Sequence, residues 1–297
     1  MNNPITLISI GRHTRLGDVL EQALSGVPFQ TMQGEELSGA KTAGARLLFA
    51  ASADATGENE QLRALTQRFR AGELRLDGAA CAILADGEQG GALQTDALQL
   101  LLAASGAGAA CIAQPLLEAR RDLRSFTEAK GAARKTPFEA YVAQANTLIR
   151  RLGEFEIELP EPARVRLLSP LTGGTAKDWR SAMTRMLTES GATLTEEEHA
   201  ERTILLVENT SGVPDEHTLA LLRRGSGRLT CLVASPAAGG ELYSLALLDQ
   251  ACVRGGYSLA PEGMLVFEGM SAVEVLAGKA EMERVKEDLA RQKGNTF

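Results

Sequence analysis

The sequence is poor in aromatic, histidine and basic residues, and these shortages exclude several classes of function. Only 4% of the 297 residues are aromatic, with a single tryptophan, and there are 3 histidines. The 38 acidic residues outnumber the 31 lysines and arginines, which gives a net charge of −7. Nucleic-acid backbones and anionic membrane surfaces attract proteins with excess positive charge, so we expect neither as the main partner. No apolar run approaches the roughly 20 residues of a membrane-spanning helix.

The cysteines and the first residues point to a reducing compartment. No Cys-x-x-Cys motif is present, and each cysteine lies in an apolar run, as a buried free thiol does: Cys81, Cys111, Cys231 and Cys252. Residues 1–10 lack the basic start and long apolar core of a secretory signal. We therefore expect a cytoplasmic protein.

Motifs for metal binding and nucleophilic catalysis are missing as well. The spacing of His13, His199 and His217 is not that of metal ligands. Neither the Gly-Lys-Ser/Thr of a nucleotide hydrolase nor the Gly-x-Ser-x-Gly of a serine hydrolase occurs. The sequence predicts no metal site and leaves the catalytic side chains unknown.

What the sequence does contain is a pattern that occurs twice. "LDGAACAILADGEQGGALQTDALQLLLAASG", from Leu76, corresponds to "GRLTCLVASPAAGGELYSLALLDQACVRG", from Gly227. Each stretch consists of an apolar strand with a cysteine, a Gly-Gly turn, a helix and a final glycine. The segments that begin at Ala45 and Glu201 also correspond. Repetition over this length predicts two tandem domains.

The predicted strands are short and almost continuously apolar, which is typical of parallel strands covered on both faces. Helices alternate with them, and right-handed crossovers then make each half a doubly wound α/β/α sandwich with a parallel sheet. The predicted domains are 1–153 and 165–297. The acidic segment 154–164, with two prolines, is the predicted linker. In the second domain, helices are predicted at 177–189, 216–223, 241–254 and 279–292.

The stretch "SPLTGGTAKDW", residues 169–179, lies between the first strand and the first helix of the second domain. Amides at a helix N-terminus carry partial positive charge and attract phosphate, and glycines let the phosphate approach the backbone closely. Thr172 and Thr175 add hydroxyl donors beside Gly173 and Gly174. The other interpretation is a plain connection in which Thr175 caps the helix.

This turn resembles the phosphate loop of flavodoxins, whose pattern is Ser/Thr-x-Thr-Gly-x-Thr after the first strand. The order of elements in both halves is similar too, so the resemblance covers nearly the whole chain and implies two tandem flavodoxin-like domains that bind FMN. "ASPAAGGELYSLALLDQ" is similar to a loop of the related NAD(P)H-dependent FMN reductases. The resemblance implies that the phosphate is held by Ser169, Thr172, Gly173, Gly174 and Thr175, and that the flavin ring is approached by Asn209, Ser211, Gly212, Ser235, Gly239 and Gly240. The chain departs from the family in that these ring loops contain no tryptophan or phenylalanine.

The corresponding turn of the first domain, "GRHTRLGD" at residues 11–18, lacks the Thr-Gly-x-Thr pattern. Its cationic stretch Arg12–Arg15 is suited either to an anion or simply to water. The first domain is thus predicted to have a degenerate phosphate turn.

Three hypotheses follow. The first is a flavin redox protein, of the NAD(P)H-dependent FMN reductase or quinone reductase type if it is an enzyme, with the two halves forming a pseudo-dimer or the chain a homo-oligomer. The second is a non-enzymatic scaffold of two degenerate domains. The third is a binder of another phosphate ligand without redox chemistry, because a fold alone does not fix a function.

Overall fold

The computed structural model describes residues 4–13, 15–38, 42–54, 57–87, 92–120, 136–157, 163–278 and 283–287. The chain divides into two compact units, Met1–Phe155 and Glu156–Phe297. No helix in these described ranges is both long and apolar enough to cross a membrane.

The first unit alternates strands and helices. Its elements are β1 (Ile5–Ile10), α1 (Arg15–Ala23), β2 (Phe29–Gln33), β3 (Arg46–Ser52), α2 (Glu60–Arg70), β4 (Ala80–Gly87), α3 (Ala92–Gly106), β5 (Ala110–Arg120) and α4 (Pro137–Glu154). A single 3₁₀ turn, Gly34–Glu36, follows β2. Local signals set the helix starts: Asn59 caps α2 by accepting from the Leu62 amide at 2.8 Å.

The second unit repeats this alternation. Its elements are β6 (Arg164–Leu168), α5 (Gly174–Glu189), β7 (Thr193–Leu194), β8 (Arg202–Glu208), α6 (Glu216–Arg223), β9 (Ser226–Ser235), α7 (Gly240–Leu248), β10 (Gly256–Glu268) and α8 (Ala272–Ala277). One turn of π-helix, Asp249–Val253, extends α7.

Both units have the same strand order. It is β2-β1-β3-β4-β5 in the first and β7-β6-β8-β9-β10 in the second, and the pairs within each unit are parallel. Numbered within a unit, this is the order 2-1-3-4-5 of the flavodoxin-like doubly wound fold. Helix α1 packs on α4, α2 on α3, and α5 on α8. The predicted fold, two flavodoxin-like α/β units, is confirmed.

The fifth strand of each unit carries the same irregularity. Cys111 and Leu116 of β5 are five residues apart, but their partners on β4 are only two residues apart, so extra residues of β5 bulge from the ladder. The same holds for Leu259 and Met264 of β10, whose partners on β9 are also two residues apart. A non-glycine residue with positive φ lies in each bulge, Gln114 at 51° and Glu262 at 52°. Bulges of this kind bend a strand locally.

Two helix predictions need correction. The helix predicted at 177–189 begins earlier, at Gly174, because the backbone is already helical directly after the glycine turn. The helix predicted to continue from α7 as far as Arg254 ends at Leu248 and passes into the π turn. The helix predicted at 279–292 falls mostly outside the described residues.

The four cysteines are buried, as predicted, and none of them forms a disulfide. Trp179 is fully buried and packs in the core of the second unit with Met183 and Leu206. The only tryptophan of the chain is therefore a reporter of the packing of this unit.

Candidate functional site at the carboxyl edge of the second sheet

The residues predicted to bind a ligand all lie at the carboxyl ends of the strands of the second unit. The parallel strands β6, β8, β9 and β10 end there, and helices α5, α6, α7 and α8 begin there. Ser169–Thr175 follows β6, Asn209–Gly212 follows β8, and Ser235–Gly240 follows β9. Ligands of open α/β sheets bind outside this edge.

The N-terminus of α5 is open. Gly173 is its N-cap, with φ 73° and ψ −146°, a conformation that favours glycine. The interpretation of Thr175 as the N-cap is wrong, because the helix has already begun at Gly174. A Cβ on Gly173 or Gly174 would meet no atom within 4 Å, so the backbone faces open space. The first turn has no acidic residue, and within residues 163–278 no side chain bonds to the amides of Gly173–Thr175. Ser169 bonds locally, its hydroxyl accepting from the Leu171 amide at 3.2 Å.

The neighbouring helices begin differently, because carboxylates of the chain occupy their first amides. Asp215 caps α6, accepting from the Thr218 amide at 2.9 Å and the Thr218 hydroxyl at 2.8 Å. Glu268, at the end of β10, accepts from the Gly240 amide of α7 at 3.0 Å. Glu208, at the end of β8, accepts from the Ala272 amide of α8 at 3.0 Å. Among the helices described at this edge, α5 is the one whose first amides bond to no carboxylate of the chain, so an external anion could bind there.

The loops after β8 and β9 are joined by hydrogen bonds. Asn209 donates from Nδ2 to Ser235 Oγ at 3.2 Å and accepts from the Gly212 amide at 2.7 Å. Ser235 is fully buried and donates to the carbonyl of Ala237. Ser211 donates to the Val213 carbonyl at 3.0 Å. Asn209, Gly212 and Ser235 are thus brought together, and their polar groups fix the loops in place.

Sequence reasoning missed an apolar feature of the same edge. Val213, Leu242 and Val273 are 68%, 64% and 59% exposed, and they follow β8, β9 and β10 respectively. The sequence did contain a signal for these exposed residues, since Val213 follows a turn glycine and Leu242 and Val273 lie in the first turns of their helices. Glu208 and Glu268 were missed too, although each is the last residue of its strand. No group of three or more metal-ligating side chains occurs in the part of the chain that the structure describes.

We expect Asp215→Ala to lower the free energy of unfolding by about 1 kcal/mol near pH 7, because it removes the cap of α6. Hydrogen bonds from the Thr218 amide and hydroxyl hold the pKa of Asp215 below its ordinary value of 3.8. A carboxylate whose pKa falls on folding stabilises the protein above its unfolded-state pKa, and this stabilisation is lost as the pH falls through the folded-state pKa. Urea denaturation should therefore show a difference between wild type and variant that is constant above about pH 5 and shrinks below about pH 4.

Asp215→Asn is the matched control, because asparagine caps helices about as well as aspartate. We expect it to be more stable than Asp215→Ala at neutral pH, because it keeps the cap, and to fall short of wild type only by the part of the stabilisation that depends on the charge. A deficit in Asp215→Ala that does not change with pH would contradict the role of the charge.

At the corresponding edge of the first unit, His13 is half-buried and held by two serine side chains. Its Nε2 lies 2.9 Å from Ser9 Oγ and its Nδ1 lies 3.1 Å from Ser52 Oγ. Burial lowers the pKa of His13 below 6.5, so the ring is mostly neutral at pH 7 and does not add to the cationic turn. Thr14 of that turn lies outside the described residues. Arg12 and Arg15 are the exposed cations there.

Comparison with known proteins gives similarity to solved structures only. No protein-family model and no curated protein matches the chain. Oxidised flavodoxin 2 from Bacillus cereus is 12% identical with a TM-score of 0.37, over 49% of this chain and 98% of that one. A mutant flavodoxin of Fusobacterium nucleatum bound to flavin mononucleotide is 10% identical with a TM-score of 0.36, over 52% and 98%. A flavodoxin of Streptococcus pneumonia TIGR4 is 11% identical with a TM-score of 0.34, over 50% and 99%. The fold assignment rests on the strand order of each unit.

Proposed function

We propose that the protein binds FMN at the carboxyl edge of its second unit and acts in electron or hydride transfer. The observation that carries this proposal is the open N-terminus of α5. No side chain of residues 163–278 caps its first amides and a Cβ on Gly173 or Gly174 would enter open space, whereas α6, α7 and α8 each have a first-turn amide bonded to a carboxylate of the chain. An N-terminus without an internal anion is suited to a phosphate.

The residues at this edge fit the parts of FMN. The amides of Gly174 and Thr175, with the hydroxyls of Thr172 and Thr175, would hold the phosphate. The exposed side chains of Val213 and Leu242 offer an apolar surface of the kind that a planar ring requires. FMN, when bound, supplies the redox chemistry itself, which agrees with a sequence that has no catalytic motif.

The finer proposal is a reductase that takes its electrons from NAD(P)H and passes them to a flavin or a quinone. The chain's contribution would be to hold the phosphate and to exclude water from one side of the ring. Loops fixed by the Asn209 and Ser235 hydrogen bonds are suited to that role, because a preorganised site loses less entropy on binding.

We further propose that the two units arose by duplication. Three shared features support this: the units have the same strand order, and β5 and β10 have equivalent bulges. In addition, the third strand of each unit begins with a buried arginine, Arg46 or Arg202. The first unit would then have lost the threonine-glycine turn.

A second candidate function is the binding of another phosphate ester without redox chemistry. It is favoured by the loops after β8 and β9, which contain no aromatic ring to pack against a flavin. Such a ligand would use the same turn at α5.

Titration with FMN and riboflavin tests the proposal. We expect FMN to quench Trp179 fluorescence and raise the melting temperature, since a ligand at about 100 times its Kd stabilises a protein by about 2.7 kcal/mol. Riboflavin, which lacks the phosphate, should stabilise far less. Stabilisation by glycerol 3-phosphate but not by FMN would support the second candidate, and no response to either phosphate compound would overturn both.

A further inference from the structure

The first unit contains a cavity of about 360 Å³ beside α2. It is lined by the end of β1, the turn Gln33–Glu35 and one side of α2 as far along as Arg68. The cavity therefore lies between the carboxyl ends of β1 and β2 and one face of α2.

Hydrogen bonds fix the walls of the cavity. Arg68 donates to the carbonyls of Gly34 and Leu37 at 3.2 and 3.4 Å, which fastens the 3₁₀ turn to α2. Asn59 donates to the carbonyls of Ile10 and Ser52 at 3.2 and 2.9 Å, which fastens the end of β1 to β3. Walls held in this way are preorganised, so binding a ligand requires little ordering.

The cavity has one cation that is available to a ligand. Its lining contains two arginines, Arg12 and Arg68, and one carboxylate, Glu35, which accepts from the Gln61 side chain at 3.4 Å. Arg68 donates to two carbonyls and lies 3.7 Å from the carboxylate of Glu73, so its charge is already paired. Arg12 is exposed and makes no hydrogen bond or ion pair with the described part of the unit, so its donors are available.

The floor of the cavity is apolar. A Cβ built on Gly34 would lie 3.7 Å from the Ile10 side chain and 3.8 Å from that of Leu65, both of which are buried and line the cavity. The cavity therefore combines one available guanidinium with an apolar surface.

We propose that this cavity binds a small organic anion, a carboxylate or phosphate monoester with a short apolar body, whose charged group pairs with Arg12. Guanidinium groups bind both anions through paired hydrogen bonds, and a volume in this range holds a single small molecule.

Calorimetric titration of the full chain with phenyl phosphate and with benzoate tests the proposal. We expect saturable binding of at least one probe, and the tighter one identifies the charged group. Arg12→Gln should weaken it by about tenfold or more, the effect of losing a charge-assisted pair. Arg150→Gln is the matched control, because it removes the same charge from the exposed face of α4, and it should change the affinity less than twofold.

Two more variants remove ambiguity. Ala64 lines the cavity, is exposed and lies within α2, so Ala64→Leu should fill the space and prevent binding without disturbing the core or the charge. Repeating the titrations in the Gly174→Pro variant distinguishes binding in the cavity from binding at the second unit. Gly174 does not line the cavity, so binding there should be unchanged in this variant. Equal affinities of Arg12→Gln and Arg150→Gln, unchanged binding in Ala64→Leu, or no saturable binding of either probe would overturn the proposal.

Discussion

Gly174→Pro is expected to weaken FMN binding by about tenfold to a hundredfold, because a hydrogen bond to a charged group contributes about 1.5–3 kcal/mol. Proline at this position removes one amide N–H of the open helix N-terminus and little else. Gly174 is the first residue of α5, where proline is favoured, and a Cβ built there meets no atom within 4 Å. Quenching of Trp179 fluorescence during an FMN titration measures the effect.

Gly174→Ala is the control for this substitution, because it adds a Cβ but keeps the amide. We expect its affinity for FMN to stay within about threefold of wild type. Both variants should have nearly the wild-type melting temperature without ligand. If proline and alanine weakened FMN binding equally, the amide would not be a phosphate ligand.

Gly173 is the less informative position for such a test. Alanine there would have to adopt φ 73° and ψ −146°, so its strain would destabilise the protein even without ligand. A loss of FMN binding in Gly173→Ala could therefore come either from backbone strain or from lost contacts with the phosphate, and the measurement would not distinguish them.

Gly227→Ala should be among the most destabilising single substitutions, with a loss of about 3–4 kcal/mol in the free energy of unfolding. Two effects add. The residue has φ 98°, which is strained for alanine, and its Cβ would overlap the carbonyl oxygen of Ala200 and lie 3.0 Å from that of Glu201. The backbone of β9 approaches the preceding segment so closely that only glycine fits. Total stabilities of about 5–15 kcal/mol make such a loss large.

Gly212→Ala separates the two effects. Gly212 has a similar φ of 74°, but its Cβ would meet nothing within 4 Å, so only the backbone strain remains. We expect a loss of about 1 kcal/mol. Urea denaturation followed by Trp179 fluorescence reports the second unit specifically. Equal losses in the two variants would show that the close approach to Ala200 is not a constraint.

Part of the site followed from local pattern. A strand, a Gly-Gly turn and a helix in direct succession identify the turn at α5, because a glycine is needed at Gly173, where φ is positive. The sequence did not reveal that Gly173 is the N-cap, since a threonine two residues later is an equally good capping residue on propensity. The conformation of the turn decided between them.

The order of strands and helices, the two-unit organisation and the location of the glycine turn are determined by the sequence itself, since they depend on apolar periodicity and on which residues tolerate positive φ. Only the tertiary structure decided which helix N-termini are free. Glu268 reaches an amide 28 residues away and Glu208 one that is 64 residues away. A carboxylate at a strand end carries no local signal of the helix it will meet, because that contact exists only once the parallel strands align their ends. The cavity beside α2 has the same origin, since its walls come from segments that folding brings together.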